Sequence, residues 1–471
     1  MHSVRRVVVV SALGYFVDIL DLFLFNVVRQ PSLRDLGVPS AESMLWGMRL
    51  LNAQMVGVLI GAFVWGMLGD RLGRLRALYG SILLYSLGTL ANGLVGSVMA
   101  YAACRFVSGL GLAGELGAAI TLVSETLPQK QRGLGTTIVA GFGLCGGVCA
   151  ALLSEHLSWR ACYLVGGSAG LLLLILRVTM TEPTLFVVAT QQPVRRGSLR
   201  LLFSSAHRRR LFFKLMLVGL PVWFIAGIVI AFSPEVATAL GTSGVTAARA
   251  VLCSYIGVAI GDMLCGLLSQ LLRSRRRAML VSLGVLALGL CWLLAQRSLS
   301  VTAYYWAAFG LGLSTGYWAV LVTTAAEQFG TNLRATVTTT IPNLVRAVVI
   351  PLSLLYQRLV PSWGTIQTVR WLGLGCVALA LWACWRPRVH RHHLAVLGCF
   401  ALGSLLIMLG GLDALIEQPL ARSAPAGLEL RHHLAAIAGN LEGPLALRLV
   451  LLFAFAQSVH YGVWLRLVPE D

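Results

Sequence analysis

The chain is predicted to be an all-α polytopic membrane protein, two copies of a six-helix unit followed by two further transmembrane helices. Three observations carry that prediction. Of its 471 residues, 57% are hydrophobic and only 12% charged, more apolar surface than a soluble core can hide. The run Gly66-Met67-Leu68-Gly69-Asp70-Arg71-Leu72-Gly73-Arg74 recurs, degraded, as Gly266-Leu267-Leu268-Ser269-Gln270-Leu271-Leu272-Arg273-Ser274. Glu125 and Arg132 stand seven apart after one apolar run, as do Glu327 and Arg334 after another, so two echoes in order mark an internal repeat.

A helix needs roughly 20 apolar residues to cross the hydrocarbon layer, and about fourteen stretches qualify. The first six cores are 7 to 28, 46 to 68, 77 to 98, 100 to 122, 134 to 154 and 160 to 180. Asp18 and Asp21 interrupt the first and no small-x-small cleavage site follows it, so it is expected to stay attached. Proline, glutamine and arginine then replace the apolar pattern. This divides the chain into an N-terminal half (1–180), a basic cytoplasmic linker (181–214) and a C-terminal half (215–388). The second half holds cores at 211 to 232, 249 to 271, 278 to 296, 301 to 323, 336 to 356 and 366 to 385. After the Trp385 to His393 break, cores at 394 to 412 and 446 to 466 have no counterpart in the repeat, and 389–471 is read as an appendage.

The formal charge of +19 points to topology and lipid headgroups, not nucleic acid, because the basic residues fall in short runs between apolar segments. Arg5, Arg6, Arg71, Arg74, Arg76, Lys130, Arg132, the arginines from 195 to 210, Lys214 and Arg273 to Arg277 all fall on one side if both termini are cytoplasmic, which suits an inner-membrane protein. All ten cysteines lie in or beside apolar runs without CxxC spacing, so neither a disulfide nor a metal site is expected. His390, His392, His393, His432, His433 and His460 invite a metal or haem hypothesis. Their predicted depths separate them, so no cofactor is assigned.

The 66–76 loop, the Arg105-Phe106-Val107-Ser108-Gly109-Leu110-Gly111-Leu112-Ala113-Gly114-Glu115 run and Glu125 to Gly133 together resemble the major facilitator superfamily, over about residues 1 to 388. The glycine-rich fourth helix is most similar to its metabolite and sugar symporter branches. The resemblance implies a transporter rather than an enzyme, with Gly66, Asp70, Arg71, Gly73 and Arg74 as a conformational latch, echoed by Glu125, Arg132, Glu327 and Arg334. Physically, Gly69 and Gly73 permit a tight turn in which an acid among arginines clamps helix ends; plain topogenic charge is the alternative. Exporters of the superfamily usually carry glycine-proline in the fifth helix. Gly141-Phe142-Gly143-Leu144-Cys145-Gly146-Gly147 has no proline, which favours uptake over an efflux antiporter. With no GxxxxGK[ST] loop, energy comes from an ion or substrate gradient. A nontransporting sensor is the more distant alternative.

Ionisable residues inside a span are costly unless paired or wet. Counting about 1.5 Å per residue, Asp21 and Arg105 lie roughly 10 Å and 6 Å from the same membrane face, within reach of one another. In proton-coupled sugar symporters an aspartate of the first helix pairs with an arginine of the fourth, so this pair is expected to couple protons or to be a static bridge. An aspartate beside an arginine stays ionised, and removing the arginine raises its proton affinity. Asp18, nearer the midplane, and Glu115 are further proton candidates, Glu115 equally a structural hydrogen-bonding residue. Arg346 with Asn343 one turn earlier suits an anionic substrate group, unless Arg346 bridges Asp262. Asn52, Gln54, Trp223, Tyr317 and Trp318 are candidate cavity residues.

Overall fold

The computed structural model describes residues 2–127, 129–178, 203–296, 298–329, 334–384 and 452, in which every regular element is helical. Contacts divide the chain into two compact units, Met1–Cys384 and Trp385–Asp471. The two helices expected over 394–412 and 446–466, with all six histidines from His390 onward, lie outside the described residues save Leu452.

In the first unit the N-terminal half comprises α1 (His2–Asp35), α2 (Ser43–Arg71), α3 (Arg74–Asn92), α4 (Val98–Leu112) continued by α5 (Glu115–Thr126), α6 (Gln129–His156) and α7 (Trp159–Arg177). The C-terminal half comprises α8 (Ala206–Phe224), a π-helical turn (Ile225–Ile230), α9 (Ser233–Ala239), α10 (Ala247–Leu271), α11 (Arg275–Ala295), α12 (Val301–Thr315) continued by α13 (Trp318–Gln328), α14 (Arg334–Ala347) and α15 (Val349–Cys384). The last turns on itself at Gly364, whose φ of 72° interrupts the helix, so each half makes six passes.

Eight described stretches are long and apolar enough to cross a membrane. One of them, Val301–Ala325, runs through the break after Thr315, and another, Thr336–Cys384, holds two of the spans expected from sequence, while the pass expected over 100–122 is split after Leu112 into shorter helices. Helix α8 begins at Ala206, inside the stretch assigned to the linker. Its Arg208-Arg209-Arg210 run is basic yet helix-compatible, since arginine has high helix propensity. Serine and threonine caps start several passes: Ser97, Ser158, Ser274 and Ser300 each accept the backbone N–H three residues on, at 3.1–3.3 Å. Leu271, Leu288, Ile175 and Trp306 point outward at 67–80% exposure, as lipid-facing residues should.

The repeat survives as packing. A methyl group on Gly57 would stand 2.1 Å from the Phe106 carbonyl oxygen, and one on Gly257 would stand 2.2 Å from that of Phe309. Thus α2 crosses α4 as α10 crosses α12, backbone against backbone, at positions where only glycine fits. The turn after α2 carries Gly73 at φ 115°, and the turn after α10 carries Arg273 at φ 47°. The second copy kept the left-handed turn after losing the glycine that makes it easy.

Candidate functional site

Helix α14 presents one polar face to the N-terminal half. Thr336, Thr339, Asn343 and Arg346 recur at spacings of three and four, the period that puts residues on one stripe of a helix, and all four are buried. Thr336 Oγ1 donates to Gly66 O at 3.4 Å, and the neighbouring Thr338 Oγ1 to Gly117 O at 3.3 Å. A methyl group on Gly117 would stand 2.4 Å from Thr339 Cα, so α5 and α14 touch along their backbones. Further along the same stripe, Ser353 Oγ donates to Asn52 Oδ1 at 2.9 Å.

At the middle of this seam Arg346 Nη2 donates to Asp18 Oδ2 at 3.1 Å, both side chains fully buried. Arg346 Nη1 donates to Asn343 Oδ1 at 3.2 Å, and Asn343 Nδ2 donates to Ala113 O at 2.7 Å and Thr339 O at 2.8 Å. Asn343 is therefore fully engaged by protein groups. The sequence alternative that Arg346 bridges Asp262 is corrected: Asp262 Oδ1 accepts the Ala319 N–H at 3.0 Å. It caps α13 after the break in that pass, and similar depth had said nothing about which way the side chain turns. Asp262→Leu should cost about 1–3 kcal/mol by orphaning a buried N–H, whereas Asp262→Asn keeps the acceptor; thermal unfolding in detergent compares them.

Matched depth did set Asp21 and Arg105 within electrostatic reach, but among the described residues no direct bond joins them. Asp21 Oδ1 accepts from Thr89 Oγ1 at 2.6 Å, its Oδ2 is unpartnered, and Arg105 donates to Gln54 Oε1 while its guanidinium lies 4.7 Å from the Phe25 ring centroid, one turn of α1 from Asp21. The azimuth of each helix, invisible to depth counting, gives Asp21 a direct partner on α3 and Arg105 one on α2. Glu115 pairs with Arg177, which the sequence reading missed, through bonds of 2.8 and 2.5 Å. Arg177 is the last residue of α7, where an arginine resembles any charge that orients a helix.

Beside Arg346 lies a narrow cavity lined by residues of both halves. Tyr15, Ile19 and Leu144 face Trp223, Tyr255 and Trp318, with Ser254 and Thr315 among the few polar members, leaving about 20 Å³ into which a water can be centred. Trp318 Nε1 donates to Tyr15 Oη at 3.2 Å, and the Arg346 guanidinium carbon lies 5.7 Å from the Trp223 ring centroid. Trp223 and Trp318 thus line the cavity as expected from sequence. Asn52, Gln54 and Tyr317 do not: the first two bond Ser353 and Arg105, and Tyr317 Oη donates to Val218 O at 2.8 Å.

Of the expected latch, Gly73 shapes the turn, Gly66 meets Thr336 across the halves, and Arg71 is exposed. Glu327 bonds Arg275 at 2.5 and 2.7 Å within the C-terminal half. The side chains of Asp70, Arg74, Glu125, Arg132 and Arg334 lie outside the described residues. At the opposite end of the bundle, buried Arg29 joins Glu235 of the other half at 2.8 Å and stacks 4.4 Å from the Phe232 centroid, while Arg249 meets Glu155 at 3.3 Å. Nothing in the sequence reading singled out Arg29. The halves are consequently joined at both ends and at the centre. Nine described cysteines are unpaired, and no cluster of three metal-ligating side chains occurs among the described residues.

Comparison with known proteins agrees with this architecture. A family model described as Major Facilitator Superfamily matches residues 11–341. The niacin transporter NiaP of Acinetobacter baylyi is 26% identical over 359 residues, 69% of this chain and 80% of that protein. The 4-hydroxybenzoate transporter PcaK of Pseudomonas aeruginosa is 32% identical over 174 residues, 36% of this chain and 38% of that protein. Several other curated relatives are likewise matched over less than half of their length. The solved proton:xylose symporter XylE shares the fold at a TM-score of 0.61 and 16% identity, with 81% of this chain and 95% of that one aligned. The chain belongs to the Major Facilitator Superfamily, a family of membrane transporters and not of enzymes.

Proposed function

We propose that this superfamily member moves a small aromatic monocarboxylate inward across the cytoplasmic membrane by alternating access, coupled to protons. The observation that carries the proposal is Arg346, a buried cation at the edge of an aromatic-lined cavity built by both halves. A guanidinium holds a carboxylate through paired N–H donors, and Tyr15, Trp223, Tyr255 and Trp318 offer ring faces and edges for an aromatic body. So apolar a lining suits a sugar poorly. Relatives named for niacin and 4-hydroxybenzoate, each a carboxylate on a six-membered aromatic ring, support the same class.

Residues 1–180 and 215–388 are taken as the moving halves, 389–471 as an appendage. The end bearing Arg71 and Arg273 to Arg277 is placed in the cytoplasm, with both termini. A carboxylate arriving at Arg346 displaces Asp18, which is then neutralised by a proton rather than left as a bare buried charge. Anion and proton movement are thereby tied together. Asp21 differs from Asp18 and Glu115 in making no direct bond to an arginine: its Oδ1 accepts from Thr89, and Arg105 acts on it only as a nearby charge.

The test is uptake by proteoliposomes under an inward proton gradient. Labelled nicotinate or 4-hydroxybenzoate is expected to accumulate, whereas the neutral amide nicotinamide and xylose are not; equal accumulation of nicotinamide removes the carboxylate requirement. In Asp21→Asn, accumulation should still respond to the pH gradient, because the proton that accompanies the anion goes to Asp18. Counterflow exchange that persists while gradient-driven accumulation falls to equilibrium would move the coupled proton to Asp21.

A further inference from the structure

Asn343 makes a bond to each of two things that a transporter must keep in step. Its Oδ1 accepts from Arg346, the proposed carboxylate anchor, at 3.2 Å, and its Nδ2 donates at 2.7 Å to Ala113 O, across the boundary between halves. Ala113 sits in the break between α4 and α5, where carbonyls lose their helical partners. Its neighbours take side-chain donors from within the N-terminal half: Trp65 Nε1 donates to Leu110 O at 2.7 Å and Ser81 Oγ to Gly111 O at 3.0 Å. Ala113 alone of these three takes its donor from the other half. Below it on α14, threonine hydroxyls reach across to Gly66 O and Gly117 O at the longer distances of 3.3–3.4 Å.

We propose that Asn343 is the positioning residue through which occupancy of Arg346 releases the seam at the basic end of the bundle. The inference rests on the reading of Arg346 as the carboxylate anchor. When a substrate carboxylate draws the guanidinium away, Asn343 Oδ1 loses its donor, the amide falls back on its bond to Thr339 O within α14, and Nδ2 leaves Ala113 O. The 2.7 Å link from α14 to the broken pass is then gone, and the longer threonine contacts nearer the basic end lose its support. The ion pair at the centre and the closure at one end are thus one hydrogen-bonded chain, Asp18 to Arg346 to Asn343 to Ala113.

Spin labels report the step. Leu72→Cys and Leu271→Cys, at exposed positions in the two halves near the basic end, are introduced after the ten native cysteines are replaced, and the inter-label distance is measured with and without nicotinate. In this parent, nicotinate is expected to lengthen the distance. Adding Asn343→Leu, which keeps the branched heavy-atom skeleton of the amide but makes neither bond, should give the long distance without ligand and abolish the response, while the nicotinate Kd changes by no more than about tenfold, the worth of one hydrogen bond. Asn343→Thr, a residue this helix already carries at Thr339 and Thr340, should do the same and serves if the leucine variant does not fold. A variant that keeps the short distance and the full nicotinate response overturns the proposal. If nicotinate fails to bind the parent, the substrate reading fails by itself, and opening by Asn343→Leu without any ligand still decides the role of Asn343.

Discussion

Arg346→Ala is expected to abolish uptake and to destabilise the protein by about 3–5 kcal/mol, the cost of leaving one member of a buried ion pair without its partner. Asp18 and Arg346 are both fully buried, and Asp18 Oδ1 already lacks a hydrogen-bond partner, so nothing nearby is placed to take over the charge. The double variant Asp18→Asn with Arg346→Gln removes both charges and should recover most of the thermal stability without recovering transport. That contrast separates a charge needed to hold the halves together from a charge needed to hold the solute. Arg346→Lys keeps the positive charge but loses the planar fork that reaches Asp18 and Asn343 at once, so nicotinate binding should weaken by roughly ten- to a hundredfold, about 1.5–3 kcal/mol for a charge-assisted hydrogen bond. Binding by Arg346→Ala at the parental Kd would show that the carboxylate is anchored elsewhere.

How much of this was legible before the structure depends on which coordinate an argument needs. Apolar length and the echo at Gly66 and Gly266 locate the passes, because hydrophobic thickness and repetition are properties of the chain itself. Position along a pass is also legible, and Asp18, Asp21, Arg105 and Arg346, expected within the passes, are all buried inside the helical bundle. Azimuth is not, since it depends on how each helix packs against its neighbours. Hence Arg105 turned to Gln54 and not Asp21, and Arg346 to Asp18 and not Asp262. The breaks after Leu112 and Thr315 were hidden by continuous apolar composition. One signal was present and unused: Thr336, Thr339, Asn343 and Arg346 fall on one helical stripe in an apolar segment, which is the pattern of a face turned to protein and not to lipid. Arg29 and Arg177 gave no such signal, because an arginine at a helix end looks the same whether it meets water or a buried carboxylate.

Arg177→Ala should have a comparable effect on stability and a different one on transport. Glu115 lies in the first turn of α5, where the helix dipole favours a negative charge, and Arg177 ends α7, where it favours a positive one. Besides its two bonds to Glu115, Arg177 Nη2 donates to Val10 O of α1 at 3.2 Å, and Tyr79 Oη of α3 donates to Arg177 O at 2.8 Å. Four passes of the N-terminal half therefore converge on one residue, three of them through its guanidinium. The space is so tight that a methyl group on Gly14 would stand 1.8 Å from Arg177 Nη2 and 2.1 Å from Glu115 Oε1. Removing the guanidinium strands a fully buried Glu115 at a cost of about 3–5 kcal/mol, and Gly14→Ala should disturb the same cluster by forcing the pair apart. Both changes are expected to lower the unfolding temperature and membrane yield, while the protein that survives still accumulates nicotinate in proportion to the imposed pH gradient. Glu115→Gln, which keeps the size and one acceptor oxygen, should be milder in stability and equally neutral in coupling. A Glu115→Gln protein with parental stability that exchanges substrate but no longer responds to the pH gradient would make Glu115 a proton carrier and not a clamp.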